Sequence, residues 1–94
     1  MQYEYVITAK FAAPVKLRET TVSAIMDAVN PDTVSLNPAD TIEVMGFITP
    51  VDAYSPLGAT ILAHEAAQKV YRIAVSMGRE GLIAFGWTCV EVTE

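Results

Sequence analysis

Residues 3–11 alternate without interruption, with Tyr5, Ile7, Ala9 and Phe11 on one side and Glu4, Val6, Thr8 and Lys10 on the other. Successive side chains of an extended chain point to opposite faces, so this is a strand with one strongly buried face. Such a strand needs paired neighbours and an apolar cover, which restricts the chain to sheet-containing layered folds. Residues 41–49 repeat the pattern, setting Ile42, Val44, Gly46 and Ile48 against Glu43, Met45, Phe47 and Thr49. Thr33 to Leu36, bounded by Pro31 and Pro38, reads as a short strand, and residues 82–92 read as the last one. Asn37-Pro38-Ala39-Asp40 reads as a tight turn between the second and third strands.

Two stretches change period. Val22, Ile25, Met26 and Val29 fall on one helical stripe. Pro14, after Ala12-Ala13, is expected in the first turn of that helix, although Thr20-Thr21-Val22 is a β-branched start. Asn30-Pro31 stops it, because the residue before a proline avoids helical dihedrals. Ser55-Pro56 reads as an N-cap followed by proline at the first helical position. It opens the longest helix, Leu57 to Met77, whose apolar stripe is Leu62, Ala66, Val70, Ile73, Ala74 and Met77. Its polar side carries Glu65 four residues before Lys69, a favourable pair, and Gly78 is a natural stop.

The order β-α-β-β-α-β with right-handed crossovers predicts an α+β fold. Its form is a ferredoxin-like plait, a four-stranded antiparallel sheet with two helices on one face. All 94 residues are expected in that one domain, since the chain is too short for two cores. A four-residue strand between two prolines suits a sheet edge.

Charge and composition narrow the function classes. Eleven acidic against six basic residues give a net charge of −5, which disfavours nucleic acid, because phosphate contacts supply most of that affinity. Ala59 to Met77 holds His64, Glu65, Gln68, Lys69 and Arg72, too polar for a membrane span. Met1-Gln2-Tyr3-Glu4 shows no basic or hydrophobic leader, and the lone Cys89 has no disulfide partner. A reducing, cytoplasmic setting is the expectation.

No residue pattern points to catalysis, a metal or a cofactor. His64 and Glu65 are neighbours in sequence and point about 100° apart on a helix, so they form no dyad. Cys89, between Thr88 and Val90, has no local base to activate it. The five glycines are too scattered for a phosphate loop. The loop at 50–58 is the ligand-site candidate, expected beside the 12–16 turn at a shared C-terminal end of the first and third strands. Two helix N-termini would then point at Lys16, Asp52, Tyr54 and Ser55. Lys69, Arg72 and Arg79 are expected together on the long helix, as a solvated charged face.

The second sheet face is the more informative feature. With Glu91 placed outward, Ile83, Phe85, Trp87 and Cys89 follow it, beside Val6, Met45 and Phe47. Leu82, Ala84, Val90 and Val92 would then face the helices. This predicts an interface centred on Val6, Met45, Phe47, Phe85 and Trp87, fringed by Glu4, Lys10, Glu43 and Glu91. The expected function is a non-catalytic protein-interaction module, a homo-oligomer or a cap on a larger protein, as inhibitor or assembly subunit. The alternative is a small-molecule-binding or regulatory domain using the 50–58 loop, and after it a small enzyme.

Overall fold

A computed structural model of the chain describes residues 2–78 and 81–92. The elements are β1 (Gln2–Phe11), α1 (Glu19–Val29), β2 (Thr33–Leu36), β3 (Thr41–Ile48), α2 (Pro56–Gly78) and β4 (Leu82–Val92). The sheet order is β2-β3-β1-β4, and every neighbouring pair is antiparallel. This is the ferredoxin-like plait, with β2 and β4 at the edges.

β1 sets the core. Its odd-numbered residues Tyr3, Tyr5, Ile7, Ala9 and Phe11 are buried, as are Ile42, Val44 and Ile48 of β3. Each fully buried aliphatic side chain of this set stabilises the fold by about 1.5–3 kcal/mol. α2 meets the sheet through Ala59, Ala63, Ala67, Val70 and Ala74. These small side chains let the helix backbone lie close, while the larger strand residues fill the space between. Leu62, Ala66 and Ile73, expected on that stripe, are only partly buried, and Leu62 and Ala66 turn toward α1.

α1 begins at Glu19 rather than near Pro14. Residues 12–18 stay out of the helix, with their backbone tied elsewhere: Ala12 N–H donates to Gly81 O at 2.6 Å and Val15 N–H to Ala39 O at 3.1 Å. Val15 and Leu17 thereby pack against the core. The helix ends as expected at Asn30, left-handed at φ 53°, whose N–H donates to Met26 O. Lys69 Nζ donates to Ala28 O at 3.3 Å, setting a cation at that C-terminus. At the start of α2, Ser55 Oγ accepts from Gly58 N–H at 3.1 Å, the expected cap.

The last strand corrects the expected facing. β4 pairs with β1 as Ile7↔Trp87, Ala9↔Phe85, Tyr5↔Cys89 and Tyr3↔Glu91. Cross-strand partners share a face, so Phe85, Trp87 and Cys89 turn toward the helices. Ala84, Thr88 and Val90 turn away from them, opposite Lys10, Val6 and Glu4. A register shift between Lys10 and Phe11 lets Leu82 rejoin the helix side, so Leu82 alone of its expected set lies there.

Gly46 lies opposite Tyr5. A Cβ there would collide with the Tyr5 ring and hydroxyl, so the ring occupies the place of the missing side chain. Burial, and secondarily the Asp32 carboxylate, raise the pKa of that hydroxyl. Gly46→Ala is expected to lower folding stability in urea by roughly 1–3 kcal/mol. The cost should largely vanish in a Tyr5→Ala background; equal costs in both backgrounds would contradict this packing.

Candidate functional site

The antiparallel sheet separates the residues expected around the 50–58 loop. Tyr3 pairs with Ile48 and Lys10 with Thr41, so β1 and β3 finish at opposite ends of the two central strands. Lys16, beyond β1, is therefore remote from Asp52, Tyr54 and Ser55. The loop uses its own polar groups: Thr49 Oγ1 donates to Asp52 Oδ2 at 2.9 Å, and Ser55 caps α2. Tyr54 stands 95% exposed. Lys16 instead borders a cleft with Arg18, Thr20, Thr21 and Ser76 at the start of α1.

The uncovered sheet face is more polar than expected, because Phe85 and Trp87 are absent from it. Its rows run Met45–Val6–Thr88, Phe47–Glu4–Val90 and Glu43–Thr8–Gly86. Val6 and Met45 are partly exposed, with Phe47 at 38% and Val90 at 54%. Three of the five expected interface residues thus share this face, joined by Val90, which the reversed strand supplies.

Phe85 and Trp87 line a groove of about 580 Å³ between α2 and β4, with His64, Gln68, Tyr71 and Arg72 opposite. The His64 and Trp87 rings lie 5.6 Å apart, and Tyr71 meets Phe85 edge-on at 5.1 Å. Tyr71 was not singled out by periodicity; its signal is the step of seven residues from His64 on one helix flank. Lys69 and Arg72 diverge, one to α1 and the other to the groove, and Arg79 lies outside the described residues.

β4 itself is the other feature of the site. Its eleven residues, LIAFGWTCVEV, contain no proline and one charge, Glu91, and among the described residues its outer side has no strand partner. Among the described residues, no three His, Cys, Asp or Glu side chains come together to hold a metal ion. No helix of the described residues is long and apolar enough to cross a membrane. Comparisons with protein-family models, curated proteins and solved structures find no match to this chain.

Cys89 is partly buried on the helix side, opposite Tyr5, and burial pushes its thiol pKa up. The thiolate is the reactive form, so iodoacetamide should label Cys89 more slowly at pH 8 than it labels a free cysteine, the gap closing at higher pH. Labelling as fast as the free amino acid would contradict the placement.

Proposed function

We propose that this chain is a non-catalytic protein-interaction module that self-associates along its uncovered β4 edge. The sheet face carrying Val6, Met45, Phe47 and Val90 remains available to seat a larger protein. The observation that carries the reading is the contrast between the two sheet edges. β2 is four residues long and lies between Pro31 and Pro38, the usual means of blunting an edge. β4 is eleven residues long and contains no proline, and its one irregularity is confined to its start, between Leu82 and Ala84. An apolar strand with open hydrogen-bonding groups is a template for another strand, and a chain that guards one edge and not the other has a use for the second.

The chemistry of the surface agrees with this reading. Half-exposed apolar side chains lie between Glu4, Glu43 and Lys10, an apolar centre with charge toward the rim. The net charge of −5 disfavours nucleic acid as the partner. A free, partly buried Cys89 suits a reducing, cytoplasmic-type compartment.

A second reading, a small-molecule-binding domain, is favoured by one observation: the aromatic groove of His64, Tyr71, Phe85 and Trp87, with Arg72 at its rim. It replaces the 50–58 loop as the place where a ligand would sit.

Sedimentation velocity separates these readings. The wild type should sediment above its 10.2 kDa chain mass at micromolar concentration. Thr88→Lys, at the exposed middle of β4 opposite Val6, should reduce it to the single-chain species with an unchanged circular dichroism spectrum. A wild type that stays monomeric into the millimolar range would overturn the self-association reading. Retention of a small molecule by such a monomer would favour the second.

A further inference from the structure

We infer that a second copy of this chain docks about a two-fold axis, pairing β4 with β4 and α2 with α2, so that each α2 closes its partner's groove. The inference rests on the self-association proposed above and gives it a geometry. Leu57, Ile61, His64, Gln68, Tyr71 and Val75 recur along α2 at alternating steps of four and three, which sets them in one line. The line runs on the flank away from α1: His64, Gln68 and Tyr71 border the β4 groove, whereas Leu62, Ala66 and Lys69 border α1. Leu57 is 71% exposed, Ile61 50% and Tyr71 47%, and no carboxylate interrupts the row. In a chain of net charge −5, an uncharged row with apolar members is the surface that another copy can approach. Its spacing is the one a helix offers to a second helix.

Distance, symmetry and level select the same partner. α2 lies against β4 and β1, so pairing β4 with its copy sets the two α2 axes two strand spacings apart, roughly 9–10 Å. That is the ordinary separation of packed helices. Leu57 and Val75, Ile61 and Tyr71, and His64 and Gln68 share one midpoint, Ala66. An antiparallel copy therefore meets the row in register, with Ile61 facing the partner's Tyr71 and His64 facing the partner's Gln68. The ring contacts place this midpoint over the middle of β4, since His64 lies on Trp87 and Tyr71 on Phe85. Trp87 is itself the central residue of Leu82–Val92. One axis thus relates strand to strand and helix to helix, the closed self-complementary contact of a symmetric dimer. The groove beside Trp87 gains its outer wall from the partner.

Trp87 is the only tryptophan, so its fluorescence reads this contact directly. As concentration carries the wild type from one chain to two in sedimentation velocity, Trp87 emission should shift to the blue and acrylamide quenching should fall. Ile61→Lys and Tyr71→Glu, both at exposed helix positions, should each weaken the dimer at least about tenfold. Mixing the two variants should restore it in part, because the mixed dimer pairs Lys with Glu at one contact and keeps the native pair at the other. Met45→Lys, on the uncovered sheet face, should leave the dimer intact. Self-association that ignores both α2 variants, or that Met45→Lys abolishes, would overturn this geometry while leaving self-association standing. A wild type that never associates would overturn both.

Discussion

The pairing of β1 with strands on both sides is the constraint on which the rest depends. Its alternation places Tyr3, Tyr5, Ile7, Ala9 and Phe11 under the helices. Hydrogen-bonded neighbours must adopt the same pleat, so β1 dictates which side of β3 and β4 is buried. Ile42 and Val44 comply because β3 shares the one-sided pattern. On β4 the same rule turns Phe85 and Trp87 inward, opposite Ala9 and Ile7. Everything distinctive about the surface follows: a sheet face of mixed polarity, an aromatic groove on the helix side, and a long edge between them.

The groove and the edge have a common origin in the small residues of α2. Ala63 and Ala67 let the helix settle onto the sheet, but an alanine does not reach sideways to cover β4. Phe85 and Trp87 therefore remain partly exposed beside the helix and meet the rings of Tyr71 and His64. A larger residue at Ala67 would push α2 away from the core. The molecule gains close helix–sheet packing and leaves the aromatic flank unfinished.

Much of the fold was legible because β1 and β3 each have one apolar and one polar side, and because Ser55-Pro56 and Asn30-Pro31 mark helix ends in chemistry that has few alternatives. β4 was not legible. Both of its faces are apolar, so Glu91 was its only guide, and Glu91 stands at the strand's exposed end, where a charge is tolerated on either side. The shift at Lys10/Phe11 further breaks the phase. The expected meeting of the 50–58 loop with the 12–16 turn failed on topology, since antiparallel central strands cannot bring the two loops to one end. The start of α1 was missed because the hydrogen bonds that tie down Ala12 and Val15 reach to Gly81 and Ala39, far along the chain. The row from Leu57 to Val75 was present in the sequence, but a stripe of polar and apolar members does not register as a hydrophobic period until the buried alanine face identifies it as a separate flank.

The facing of β4 is the claim on which the groove, the edge and the dimer geometry all rest, and a nuclear Overhauser spectrum tests it most directly. The indole protons of Trp87 should show contacts to the His64 ring and the Ala67 methyl, the groups that border the same groove. Indole contacts to the methyls of Val6 and Met45 instead would put Trp87 on the uncovered sheet face and contradict the account.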